Sequence, residues 1–378
     1  MRHRVEQRST TLTALCLVGL ALVSTSFSGF GRFGGVGASG RPRGLREAQA
    51  DVAAGQTGTW TLVHNRPIGG KYEDFAFPNP THGWLVAAPG DILHTADAGV
   101  TWTVQATGLG RLRSVDFLDE KRGFAGTLNG ELYRTTDGGA TWTNIAKELP
   151  RTALGFCGIT HVGERVHIVG RYYGEATDYF YSPDGGKTWR GDNLGALAQG
   201  LVDVSFINAS VGFIGGMAKS TPAGVGPAII LKTVDGGTTW RPVFTHDGGR
   251  GFAWKIFPVT ARLIYVALQS QDGIYRVAKS TDAGQTWEVQ TAATGQPQGP
   301  GVQGIGFIDA NTGWIGGFFQ GMFTTTDGGK TWAPLAVTDR TINRFEKVGN
   351  TMFTASTRGI LRYDTRPSLS SGQSRGGR

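Results

Sequence analysis

Six aspartates recur in one phrase, Asp-x-Gly-x-Thr-Trp: Asp97, Asp137, Asp184, Asp235, Asp282 and Asp327. Two carboxylates facing one glycosidic bond can act as acid and base, and carboxylates gathered with histidines can hold a metal ion. The spacing argues against both. Successive copies lie 40, 47, 51, 47 and 45 residues apart, the period of a repeat protein whose unit is one small sheet. Within each copy the Asp is placed to accept hydrogen bonds from backbone N–H groups two or three residues on. The Gly two residues later supplies a left-handed conformation that other residues adopt at a cost. All six are therefore expected to be structural, with no catalytic residue, metal ligand or cofactor among them.

The remaining reactive side chains are scattered. Asp74, Asp116, Asp203 and Asp309 fall at repeated strand or turn positions, and Glu175 and Asp178 lie in a longer third repeat that serves equally as a site or a solvated loop. His161 and His167 flank a strand with no third ligand at metal spacing. Cys157, in GFCGIT, reads as a small apolar core residue. The other cysteine, Cys16, sits within an N-terminal apolar run, so no internal disulfide is expected after export.

The segments around each phrase must hold it in place, and they read as short strands. In the second repeat LRSVDFLD (112–119), RGFAGTLN (122–129), GELYRTTD (130–137) and TWTNIA (141–146) alternate apolar positions between Gly- or Asn-bearing joints. After the sixth phrase, residues 340–349, 351–357 and 359–365 supply three strands and stop without a Thr-Trp strand. TWTLVH (59–64) has that start and no preceding unit. Pairing the two ends makes a seventh unit and removes two exposed sheet edges. The fold expected is all-β: a seven-bladed β-propeller of four-stranded antiparallel blades, the last closed by the N-terminal strand. Trp60 is then equivalent to Trp102, Trp142, Trp189, Trp240, Trp287 and Trp332.

The chain divides into 1–27, 28–55, 56–365 and 366–378. Arg2, Arg4 and Arg8 precede the apolar run LTALCLVGLALV (12–23), which fits the core of a signal peptide and is short for a membrane span. Cys16 lies early in that run, which does not suit a lipoprotein anchor. Residues 28–55 are Gly/Arg-rich and expected to be flexible, and 366–378 form a basic tail expected to be disordered. Of the net charge of +8, the first 50 residues carry +5 and the tail +3, so the propeller is neutral. A neutral body lacks the field that drives nucleic-acid binding.

The six-residue phrase resembles the Asp-box of the bacterial neuraminidase repeats. Some Asp-box propellers are sialidases and other glycosidases, which keeps a carbohydrate-active or carbohydrate-binding propeller as the alternative. The Arg-Ile-Pro motif that opens sialidases is absent, and Asn65-Arg66-Pro67-Ile68 only scrambles it. The fuller repeat adds a Phe, a Gly-Trp or Gly-Phe pair and a Thr before the Asp, as from Phe77 through Gly83-Trp84 to Trp102 and from Phe307 through Gly313-Trp314 to Trp332. In this form it resembles the photosystem II stability/assembly factor family of seven-bladed propellers over nearly all of 59–365. The resemblance implies an exported protein, of periplasm, thylakoid lumen or extracellular space, without catalysis, that binds a reaction-centre assembly intermediate in phototrophs. The longer third to fifth repeats and the Gly/Arg-rich flanks depart from the family pattern.

Propeller topology puts the Asp-box turns on one face and the links between blades on the other, around the channel mouth. Those links carry Lys71, Arg111, Arg113, Arg151, Arg250, Arg340 and Arg344, with Tyr72, Phe252 and Trp254 close in sequence. Arginines with aromatics suit an interface centre, and the resemblance implies an arginine-lined surface. These seven cations are the expected protein-binding residues of a monomer that meets a membrane only from outside.

Overall fold

The structure, a computed structural model, describes residues 58–65, 71–174, 177–220, 226–248, 251–299, 301–337, 341–357 and 359–365. The segments expected at 1–27 and 28–55 and the tail at 366–378 lie outside the described residues, as do Glu175, Arg250 and Arg340.

Seven four-stranded antiparallel sheets form a ring. Blade 1 runs outward through Tyr72–Ala76, Gly83–Ala87, Asp91–Thr95 and Thr103–Ala106. The inner strands of blades 2 to 6 are Leu112–Phe117, Gly158–Val162, Gly200–Phe206, Ala253–Pro258 and Val302–Phe307. Blade 7 has Phe345–Val348, Thr351–Ser356 and Gly359–Asp364, and its outer strand is Thr59–His64 from the other end of the chain. That strand pairs antiparallel with Gly359–Asp364 from Thr59↔Asp364 to His64↔Ile360. Among the described residues the helical content is one 3-10 turn, Ala146–Glu148.

The Asp-box explains why each hairpin turns where it does. In the last copy Thr325 Oγ1 donates to Asp327 Oδ1 at 2.8 Å and accepts from Gly329 N at 2.9 Å. Asp327 then accepts from Thr331 N at 2.9 Å and from Thr331 Oγ1 at 2.6 Å. In every copy the backbone partner is the residue four positions on, with the third also donating at Asp184 and Asp282. The reach is longer than the two or three residues expected because both residues after the Asp take positive φ and widen the turn, as Gly328 (73°) and Gly329 (84°) do. Each box is also pressed against the blade before it. A Cβ at Gly237 would lie 1.9 Å from the Tyr179 hydroxyl of blade 3, so φ and space both demand glycine there.

Aromatic rings fill the wedges between blades. Trp84 stacks on Phe117 of the next blade at 3.7 Å, Tyr265 on Phe307 at 3.8 Å and His167 on Phe206 at 3.9 Å. Phe353 on Phe77, at 4.8 Å, makes the same contact between blade 7 and blade 1. The box tryptophans meet these rings edge-on, Trp102 on Phe77 at 88° and Trp142 on Phe117 at 85°. Trp60 stands edge-on to Trp314 at 5.2 Å, so the N-terminal strand brings its own wedge. Burying a ring of this size contributes about 2–3 kcal/mol, and the pair geometry about 1 more.

A polar latch runs alongside. Long side chains of one blade donate to the box carbonyls of the next: Gln105 to Gly138 O (2.8 Å), Lys232 to Ala283 O (2.7 Å), Lys279 to Gly328 O (2.9 Å) and Arg362 to Ala98 O (3.3 Å). The last of these joins blade 7 to blade 1. Together rings and latches make a stiff annulus with its inner strands lining the axis.

Candidate functional site

A bulge near the start of the inner strands decides what reaches the channel. The pairing of first and second strands shifts register between Tyr72 and Asp74, Leu112 and Ser114, Leu201 and Asp203, Ala253 and Lys255, and Val302 and Gly304. The extra residues are Glu73, Arg113, Val202, Trp254 and Gln303. A bulge breaks the strict alternation of a strand, so two neighbouring residues can serve one side. Cys157, whose N–H is shared between Val169 O and Gly170 O, takes this place in blade 3. Asn343 takes it in blade 7.

These residues meet across the axis. Arg113 is buried and donates through Nη1 to Glu73 Oε2 in a short charged bond, and through Nη2 to Asn343 Oδ1 at 3.2 Å. Its guanidinium lies 5.6 Å from the Trp254 ring, and Trp254 Nε1 donates to the same Asn343 oxygen at 3.1 Å. Burial opposes its charge, but Glu73 holds it firmly ionised. The following residues form a second polar layer. Lys255 Nζ donates to Asp203 at 3.0 Å, both being buried. Arg344 reaches Asp74 at 3.3 Å, Asp203 at 3.7 Å and Glu346 at 3.3 Å. Burial pushes the Asp74 carboxyl up and lifts Glu346 to about 7, against the pull of Arg344.

The seven expected binding cations therefore have different surroundings. Arg113 is wholly interior, and Arg344 is surrounded by carboxylates. Lys71 pairs with Glu73 at 3.3 Å and lies over the Phe318 ring at 5.0 Å; burial lowers its pKa to about 8. Arg151 is exposed and lies 3.3 Å from Asp178. Arg111 is exposed, with no ion pair among the described residues. Arg250 and Arg340 lie outside the described residues. Lys71, Arg111 and Arg151 share one end of the ring: Lys71 O and Arg111 O accept from Ala88 N and Leu128 N, where the second strands of their blades finish, and Arg151 meets Asp178, where the third strand of blade 3 begins.

Sequence reading passed over Glu73 and Lys255, whose places depend on the bulges, and Asn343 and Glu346 of blade 7. It also passed over Arg171, Tyr172 and Tyr173 in the long loop of blade 3. The Arg-Tyr-Tyr run at 171–173, in a blade that breaks the pattern, was the available signal. Of the two histidines, His161 contacts Asp116 at 2.7 Å, which raises its pKa, while buried His167 contacts the Tyr179 hydroxyl at 2.7 Å and burial lowers it to about 3. Among the described residues no three His, Cys, Asp or Glu side chains cluster as metal ligands. An open cleft of about 540 Å³ lies at the other face, lined by Pro78, Asn79, Asp119 and Arg122 among others.

Comparison with known proteins bears on the fold and the family. The family model described as photosynthesis system II assembly factor YCF48 matches residues 52–148, and the BNR/Asp-box repeat matches 323–334. The photosystem II assembly lipoprotein Ycf48 of Trichormus variabilis is 30% identical over 292 residues, covering 72% of this chain and 76% of the relative. A solved structure of YCF48 bound to D1 peptide superposes with a TM-score of 0.59 at 18% identity, covering 81% of this chain and 96% of that one. The GH74 xyloglucanase of Xanthomonas campestris shares the fold, with a TM-score of 0.56 at 16% identity over 80% of this chain and 53% of that one.

Proposed function

The chain belongs to the Ycf48 family of photosystem II assembly factors, and from that premise we propose that it is an exported, non-enzymatic monomer that docks a reaction-centre precursor protein on its channel-mouth face. The observation that carries the reading is the mouth itself. Exposed Arg111 and Arg151 and half-buried Lys71 sit at one end of a ring that is neutral as a whole. A relative of the same architecture is known bound to a D1 peptide. The apolar run at 12–23 and the lipoprotein character of the relative support export. The interior cations have another role in this reading: Arg113, Lys255 and Arg344 neutralise Glu73, Asp74 and Asp203 and so plug the axis.

The test is affinity capture from membranes of the source organism, comparing the wild type with Arg111→Glu/Arg151→Glu. Arg111 is exposed without an ion pair among the described residues, whereas reversal of Arg151 sets a second carboxylate beside buried Asp178, so the variant should melt somewhat below the wild type and, assayed below its transition, should lose reaction-centre proteins from the capture. Equal recovery by both proteins would refute docking on this face. One observation favours the carbohydrate reading: Glu346 gathers with Asp74 and Asp203 around Arg344, and burial raises its carboxyl toward the range of a general acid. Hydrolysis of aryl glycosides, lost in Glu346→Gln, would establish that reading instead.

A further inference from the structure

We infer that His167 makes the seam between blades 3 and 4 an acid-released joint: protonation of its ring loosens that seam while the other seams stay closed. The inference is independent of what docks at the mouth. Where the second strand pairs with the first, one place in each blade holds a ring that wedges between blades. From blade 1 to blade 7 it holds Trp84, Phe124, His167, Phe213, Tyr265, Trp314 and Phe353. His167 is the one imidazole in the set, and so the one ring that takes up a proton in the acid range.

Its surroundings give that proton no place. The ring is fully buried, stacked on Phe206 of blade 4 at 3.9 Å and packed on Tyr181 at 5.2 Å. Nδ1 meets the Tyr179 hydroxyl at 2.7 Å, and Nε2 is buried with no hydrogen-bond partner among the described residues. With Tyr179 donating, the neutral ring keeps its hydrogen on Nε2, where nothing accepts it. An imidazolium donates from both nitrogens, so Tyr179 would have to turn its own proton away, against Gly237. Arg165, on the same strand, adds a like charge, while Thr160 opposite the ring and Phe206 carry none. Asp192 and Asp235 bear on the Tyr179 hydroxyl and not on the imidazole. A cation buried without an acid partner is disfavoured, and burial holds this ring's pKa down to about 3.

The same seam is lightly latched. On the third strands Arg134, Lys232 and Lys279 lie across from Phe124, Phe213 and Tyr265, and each donates to a box carbonyl of the next blade. Tyr181 stands at that place in blade 3 and packs on His167 instead. Arg165 Nη1 crosses the seam to Ala209 O at 3.0 Å, and behind it Val169 and Tyr179 share an apolar cluster with Val204 and Ile214. Much of the hold therefore passes through the ring that acid charges.

Opening takes up a proton wherever pH lies below 6.5, the ring's ordinary value, and above the closed value of about 3. The seam is whole above that window, and its opening equilibrium rises about tenfold per pH unit as pH falls through it. The test is native-state hydrogen exchange of the full chain, read by mass spectrometry for wild type and His167→Phe. Taking the ratio of the two proteins at each pH cancels the intrinsic chemistry of exchange. Peptides over Arg165–Val169 and Gly200–Phe206 should open about 30-fold more in the wild type on going from about pH 7.5 to about pH 5, relative to the variant. Peptides over Ile264–Leu268 and Val302–Phe307, at the seam wedged by Tyr265, should show no such difference. His167→Phe/Tyr179→Phe serves as a second variant, since it also removes the hydroxyl that loses its partner. Proton NMR of the wild-type ring needs no variant to fold and should show no titration in the closed state over this range. Equal acid loss in wild type and variants, loss spread evenly over all blades, or a closed ring that titrates near its ordinary value would each overturn the joint.

Discussion

Replacing Arg113 by Met separates an interior cation from a docking cation. The residue is 2% exposed, and its removal strands Glu73 in the channel. Losing one partner of a buried ion pair costs about 3–5 kcal/mol. Two remaining contacts place the cost at the lower end: Lys71 Nζ stays 3.3 Å from Glu73, and Asn343 Nδ2 stays 3.4 Å from the same carboxylate oxygen. The lost stacking over Trp254 adds up to about 1 kcal/mol, so the total comes to about 3–4 kcal/mol. At about 2 °C per kcal/mol for a domain of this size, the melting temperature should fall by about 6–8 °C. Adding Glu73→Gln to the same chain removes the stranded charge and should recover about half of the loss. Arg111→Met, on the exposed neighbour two residues away, should change stability by less than about 0.5 kcal/mol. The assay is urea unfolding of all four proteins followed by tryptophan fluorescence, with partner capture measured below the lowest transition. Wild-type stability in Arg113→Met would refute the ion-pair plug. Loss of capture in that variant without loss of stability would make Arg113 a docking residue after all.

Three further outcomes follow from the geometry. Gly237→Ala should cost about 3 kcal/mol in urea unfolding, because it adds a clash with Tyr179 to an unfavourable φ of 89°; Gly163→Ala, at φ 60° with open space, should cost about 1 kcal/mol. Thr325→Val, which strands Gly329 N and takes a donor from Asp327, should cost about 1–3 kcal/mol by the same measurement. Glu346 gives a pH signature. Its folded pKa is raised from 4.5 to about 7, so the proton it keeps favours the folded state fully below the unfolded value. That contribution fades as pH rises through about 7, and Glu346→Gln should flatten the melting-temperature profile between those limits.

The propeller was legible in the chain because its signal is local. Asp, Gly, Thr and Trp all act within one hairpin, and the phrase repeats often enough for its period to stand out. Even the split blade could be read, since 59–64 starts like an outer strand and 359–365 lacks one. The mouth was half legible. Topology places Lys71, Arg111 and Arg151 at one end, but strand alternation cannot say that Arg113 turns inward. The bulge breaks that alternation, and nothing in LRSV announces one. The partners of Arg344 and Arg113 are as remote: Asp74, Asp203 and Glu73 lie in other blades, joined to them only through the closed ring. Long-range electrostatics of this kind has no period to read.

The strand 59–64 belongs to the blade that the chain completes last, with Thr61 Oγ1 donating to Arg362 O across 301 positions of sequence. Synthesis delivers this strand first, and its seat exists only once 359–364 has arrived. Until then every nascent chain carries two complementary open edges, one at each end. A chain that stops short of residue 359 keeps an unpaired edge on the last strand it did make and an orphan strand bearing Trp60. Such products can pair with one another or be cut, whereas a finished ring offers neither. Completion of the ring thus depends on the chain having been made as far as residue 364: the last strand of the propeller provides the seat for the first.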